Sequence, residues 1–165
     1  MAALNIGETA PDFSLPAMDG KAFSLKDALG RGPVVAVFFK ISCPTCQYAL
    51  PFLERLHKAY GAKAAMVVGV SQNSSKDTAS FLKNFGVTFR IMLDDTETYP
   101  VSNAYGLTNV PTTFWIAQHG EIEVSSVGWD RSDFEQIHAK MAEMTRGDVV
   151  PIFQPGENVA AFRAG

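Results

Sequence analysis

Residues Val34–Phe39 (VVAVFF) are apolar without a break or an alternation. A strand covered on both faces reads this way. After Lys40, Ile41 and Ser42 the chain reaches Cys43-Pro44-Thr45-Cys46, and from Pro44 to Tyr60 the pattern takes a helical period. Ala49, Phe52, Leu53, Leu56 and Tyr60 share one face, with Glu54, Arg55 and Lys58 opposite. Glu54 and His57 are therefore expected at solvated positions. Pro51 falls inside the pattern, where its missing N–H predicts a kink, and Gly61 ends it. Residues 65–70 form a second apolar run. Two such strands joined by a helix predict a right-handed βαβ unit.

The flanking segments extend this unit. Residues 10–16 carry Pro11 and Pro16 and read as an edge strand. Asp19-Gly20 marks a turn, Phe23 starts a return strand, and Ser24 is placed to cap a short helix over 25–29 that Gly30 ends. Residues 71–75 read as a polar loop. A helix is expected over 77–85, with Thr78, Phe81, Leu82 and Phe85 inward and Gly86 as its stop. Residues 89–93 predict a short strand, and 94–97 a turn or helix start leading to 101–105. Val110-Pro111 precedes a strand over 112–117, which the turn at 118–120 joins to 121–127 as a hairpin. Asp130 is placed to cap a last helix over 132–145, with Phe134, Ile137, Met141 and Met144 inward. The order predicts an α/β fold over residues 1–146, a central mixed β-sheet flanked by helices with an N-terminal β extension. Too few βα units exist for an eight-stranded barrel. Residues 147–165 are expected as an extended or partly packed tail, held through Ile152, Phe153 and Phe162.

At 165 residues, with 47% hydrophobic and 19% charged side chains, the chain is expected to form one domain with a full-sized core. Its net charge of −3 and the lack of a basic block argue against nucleic acid as a partner. The N-terminus has neither the basic stretch nor the apolar run of a signal peptide, and no run spans a membrane, so a cytoplasmic location is expected, with a periplasmic chain trimmed of its leader as the alternative. The only two cysteines are Cys43 and Cys46. Two cysteines do not make a secreted disulfide scaffold, and a C-x-x-C pair in a reducing compartment points to redox or metal chemistry. Zinc would need two more ligands, and His57, His119 and His138 stand at no paired spacing, so neither a metal nor a cofactor is expected.

The strand–C-x-x-C–helix context supplies what dithiol exchange needs. It places Cys43 at the first helical turn, where unpaired N–H groups and the helix dipole favour a thiolate. Cys46, one turn on and more buried, is expected to resolve the mixed disulfide formed on Cys43. Pro44 suits the helix start, and Thr45 adds no charge.

Several landmarks carry a family resemblance. They are Ala10-Pro11-Asp12-Phe13 with Asp19-Gly20, Phe38-Phe39 before Cys43-Pro44-Thr45-Cys46, and Pro51. Further on come Val68-Gly69-Val70-Ser71, Tyr105-Gly106, and Val110-Pro111-Thr112-Thr113-Phe114 with Gly120. In these the chain resembles the thioredoxin-like superfamily, and within it the TlpA/ResA-type thiol-disulfide oxidoreductases and their AhpC/TSA relatives. The resemblance implies a cis peptide at Pro111 facing the dithiol, with Val110 offering backbone groups to an extended substrate. Pro44, Thr45, Val110 and Pro111 are thus expected to shape the site around Cys43 and Cys46. It also implies a protein or small-molecule disulfide as substrate and a thioredoxin-type dithiol as reductant. The sequence departs from the family where Ser42 replaces a usual tryptophan. Val37 and Ala49 stand where helper carboxylates occur in relatives, which leaves the proton relay open.

Two other readings stay open. Cys43-Pro44-Thr45 also resembles the peroxidatic C-P-T of peroxiredoxins. There, however, a threonine would stand at Lys40, a proline at Ala36, and an arginine where Val110-Pro111 lies, with Arg131 as a spare cation. The third reading is a non-catalytic binding module, with Phe39, Trp115, Trp129 and Tyr48 lining an apolar groove.

Overall fold

The computed structural model describes residues 3–146 and 149–165. Met1 and Ala2, which open the N-terminal stretch read above, and Gly147 and Asp148, which open the tail, lie outside the described residues. The chain begins with a hairpin of β1 (Ser14–Pro16) and β2 (Ala22–Ser24), followed by α1 (Leu25–Leu29). Then come β3 (Val34–Phe39), α2 (Pro44–Tyr60), β4 (Met66–Ser71), α3 (Ser75–Phe85) and β5 (Arg90–Leu93). The second half runs α4 (Pro100–Ala104), β6 (Thr112–Ile116), β7 (Ile122–Val127), β8 (Trp129–Asp130), α5 (Arg131–Met144) and β9 (Phe162–Arg163).

The main sheet has the order β5-β4-β3-β6-β7, with β3, β4 and β5 parallel and β6 and β7 antiparallel. The unbroken apolar run of β3 is explained by its central place: all its residues are buried. Val35, Val37 and Phe39 enter a core with α2, α3 and α5. Val34, Ala36 and Phe38 enter a second core with the N-terminal hairpin, α1 and Tyr105. Gly69, paired with Val37, has no room for a side chain, since a Cβ there would meet Ile91 Cδ1 at 2.6 Å.

Local chemistry sets the helix starts. Ser24 Oγ accepts from the Asp27 N–H at 3.2 Å, and Asp130 Oδ1 from the Asp133 N–H at 3.0 Å. The helix expected from Asp77 begins two residues earlier, because Ser74 rather than a later residue caps it, its Oγ accepting from the Asp77 N–H. The expected edge strand over 10–16 shortens to β1, where pairing with β2 begins at Ser14.

Three expectations are corrected. Glu54 is buried, at 5% exposure, because its carboxylate reaches the turn before β5. There it accepts from the Thr88 N–H at 2.8 Å, the Thr88 hydroxyl at 2.5 Å and the Phe89 N–H at 3.2 Å. Met144, expected inward, is 43% exposed at the last turn of α5, where the core has already been closed by Met141 and Ala142. Phe162 is 61% exposed, since β9 pairs through its backbone, and Val159 is buried in its place with Ile152.

The tail is built onto α2 and β8. Trp129 Nε1 donates to the Ala160 carbonyl at 2.7 Å, and the Ala160 N–H donates to Tyr48 Oη at 2.9 Å. Arg55 grips Glu157 with both guanidinium nitrogens, at 2.7 and 2.8 Å. Among the described residues no helix is long and apolar enough to cross a membrane.

Candidate active site

Cys43 is the N-cap of α2, and Pro44 takes the first helical position, where a missing N–H costs nothing. The turn before it is pinned on both sides. The Ile41 N–H donates to Asn73 Oδ1 at 3.0 Å, and Gln47 Nε2 donates to the Ile41 carbonyl at 3.0 Å. Cys43 Sγ accepts the Cys46 N–H at 3.3 Å, so its sulfur takes the role that serine or aspartate plays in other caps. The same sulfur donates to the Val110 carbonyl at 3.3 Å.

That contact joins two segments far apart in sequence. The Val110–Pro111 peptide is cis, as the resemblance implies, and the loop lies against the half-buried Cys43. Thr112 Oγ1 donates to the Asn109 carbonyl at 2.7 Å and the Gly128 N–H to the Pro111 carbonyl at 2.7 Å, which hold the loop in place.

Cys46 has 0% exposure and sits in the α2-side core. Burial pushes its thiol far above the ordinary cysteine range, with the neighbouring Cys43 sulfur adding to the shift. Both cysteines are free thiols. Val37 and Ala49 are buried apolar residues, so the positions of the absent helper carboxylates are closed by hydrocarbon.

The remaining expected residues fall into two groups. Pro44, Thr45, Val110 and Pro111 are brought together with the dithiol, and Thr45 Oγ1 donates to the Ala164 carbonyl at 2.6 Å. Phe39, Trp115 and Trp129 are buried core residues; of that set only Tyr48 is half-exposed. Arg131, the spare cation, is paired with Glu135 at 2.8 Å and lies over the Phe153 ring. Lys40 is exposed on the rim of a polar depression that Gln72, Ser102, Asn103 and Val110 also line. Among the described residues no three His, Cys, Asp or Glu side chains gather into a metal-binding group.

The sequence reading missed Gly128, Asn109 and residues 163–165, which all adjoin the Val110 loop. Gly128, directly after a predicted strand and at a positive φ of 77°, carried a usable turn signal; the tail carried none.

A half-buried cysteine capping a helix, a buried partner one turn on and a cis proline facing them define a thioredoxin-like thiol-disulfide oxidoreductase working through Cys43 and Cys46. The comparisons place it more closely. The chain belongs to the AhpC/TSA family, whose model matches residues 6–125, and to its ResA/TlpA-type thiol-disulfide oxidoreductases. It is 33% identical over 122 residues to the thiol-disulfide oxidoreductase ResA of Geobacillus thermodenitrificans (strain NG80-2), covering 73% of this chain and 68% of that protein. ResA of Bacillus subtilis (strain 168) is 28% identical over 156 residues, 94% of this chain and 79% of that one. Among solved structures, a putative thiol:disulfide interchange protein DsbE from Chlorobium tepidum superposes with a TM-score of 0.74 at 28% identity, over 86% of this chain and 99% of the other. A putative protein disulfide isomerase from Bacteroides thetaiotaomicron reaches 0.78 at 24% identity, over 87% and 94%, which supports the fold.

Proposed function

We propose that the protein reduces disulfides by a mixed-disulfide route in which Cys43 is the nucleophile and Cys46 the resolving thiol. The observation that carries this reading is the unequal burial of the two sulfurs, one half-exposed at a helix start and one at 0% exposure behind it. The Cys43 thiolate attacks one sulfur of the substrate disulfide, and the other sulfur leaves as a thiolate that takes up a proton. Cys46, once deprotonated, attacks Cys43 and expels the second substrate thiol. Two electrons pass to the substrate, and a Cys43–Cys46 disulfide remains for a thioredoxin-type dithiol to reduce. Pro44 and Thr45 hold the helix start, and Val110 and Pro111 form the facing wall. A lone C-x-x-C pair with no other cysteine in the chain favours a cytoplasmic, reducing setting.

Cys43→Ser is expected to abolish exchange, whereas Cys46→Ser is expected to accumulate a mixed disulfide on Cys43, both read by mass spectrometry of the intact protein. Full reductase activity in Cys43→Ser would refute the assignment. The peroxidase reading has less support, because Lys40 is exposed where that chemistry needs a hydroxyl and Arg131 is engaged by Glu135. Peroxide is expected to oxidise Cys43 no faster than a free thiol in a stopped-flow assay.

A further inference from the structure

The surface around Cys43 is not open on all sides. One flank of the site is built from three neighbouring features: Thr45 on the first turn of α2, the Val110–Pro111 loop, whose Val110 carbonyl accepts from Cys43 Sγ, and Gly128, whose N–H donates to the Pro111 carbonyl. Residues 163–165 lie across all three. Thr45 Oγ1 donates to the Ala164 carbonyl at 2.6 Å, and Asn109 Nδ2 donates to the Gly165 carbonyl at 3.3 Å. Gly165 rests on the Val110 carbonyl so closely that a Cβ there would run into the oxygen. Gly128 is buried beneath the tail, and a Cβ on it would meet the Arg163 carbonyl at 2.5 Å and Gly165 N at 3.1 Å.

The segment is held just upstream of this contact. Phe162 and Arg163 pair with Asp130 and Trp129, the Arg131 N–H donates to the Ala161 carbonyl at 2.9 Å, and the Arg163 guanidinium lies 4.5 Å over the Tyr48 ring. The depression lined by Lys40, Gln72, Asn103, Asn109 and Val110 has no tail residue in its lining and meets the tail at its Asn109 edge.

We infer that residues 162–165 are a specificity-determining strap, which covers the flank of Cys43 needed by a polypeptide disulfide and leaves the Lys40 flank to small disulfides. The inference rests on the disulfide-exchange reading and names its substrate class. A polypeptide must lay residues on both sides of its cysteine against the loops around Cys43, and the strap already occupies the hydrogen-bonding groups there. A small disulfide needs only the sulfur and the open depression.

The test compares three pre-reduced proteins: the full chain, a chain ending at Ala161, and full-length Gly165→Val. The shorter chain keeps the Trp129–Ala160, Tyr48–Ala160 and Arg55–Glu157 contacts. The valine variant keeps the full length of the chain but forces a side chain into the Val110 carbonyl. Rate constants for oxidation of the dithiol are measured with insulin as the polypeptide disulfide and 5,5′-dithiobis(2-nitrobenzoate) as the small one. Both variants are expected to react about tenfold faster with insulin and within about twofold of the full chain with the small disulfide. Equal rises for the two disulfides, or no rise with insulin in either variant, would overturn the strap. If the shorter chain does not fold, the valine variant decides alone. No reaction of the full chain with either disulfide would overturn disulfide exchange itself.

Discussion

Cys46 must lose a proton before it can attack, yet it lies in a wall of hydrocarbon that holds its thiol neutral. With Val37 and Ala49 where a carboxylate would otherwise assist, the thiolate fraction of Cys46 limits the second half of the reaction. Resolution of a pre-formed Cys43 mixed disulfide is therefore expected to quicken by about tenfold per pH unit across the neutral to mildly alkaline range. Quenched-flow analysis of the released thiol checks this. A plateau below about pH 8 would mean that another group takes the proton. Glu54 tests burial in the opposite sense, a charge fully engaged by hydrogen bonds. Glu54→Ala leaves the Thr88 and Phe89 N–H groups without their acceptor and is expected to cost about 2–4 kcal/mol in urea unfolding. Glu54→Gln, which keeps an acceptor oxygen and the shape, is expected to cost less than half as much, and neither change touches the dithiol.

Between elements, the ion pair among the bonds that fasten the tail to α2 is Arg55–Glu157. Arg55 and the Gln154 N–H hold the Glu157 carboxyl down at about 2, against an ordinary value near 4.5. Because the docked value is the lower one, the contribution is complete above about pH 4.5 and fades as pH falls towards 2. Amide protection at residues 157–165, taken relative to the intrinsic exchange rate at each pH, is expected to fall across that window before the sheet opens. Unchanged protection down to pH 2.5 would show that apolar contacts alone hold the tail. The same pair marks the boundary of what sequence pattern conveys. Helix α2 was legible because its apolar side chains repeat with the period of the helix, and strand β3 because an unbroken apolar run marks a strand covered on both faces. Glu54 was misplaced because its partners lie on the turn before β5, outside any periodicity of α2. The tail pairs with β8 through backbone groups, so Phe162 gave an apolar signal with no burial behind it.

At the scale of the whole molecule, the sheet gathers three segments, Cys43–Cys46, Val110–Pro111 and Gly128, into one site, because β3, β6 and β7 are neighbours. The first two were legible as motifs with a known relation in the resembling family, whereas the third needed the hairpin's register. Residues 149–165 also belong to the energetics of the core. Ile152 and Val159 are buried with Trp129 and Phe134. Ending the chain at residue 148 is expected to lower stability by about 3–6 kcal/mol in a denaturant titration, from two apolar side chains at about 1.5–3 kcal/mol each. Ending it at Ala161 is expected to cost less than about 1 kcal/mol, since the residues lost are exposed or half-exposed. The strap is also joined to the site it covers by the chain itself. A tethered competitor is not diluted when the protein is, so its occupancy of the Cys43 flank is the same at every protein concentration. Apparent affinity for a polypeptide then scales with the fraction of molecules whose strap is off. Any surface that draws residues 162–165 elsewhere would switch the substrate range without touching either sulfur.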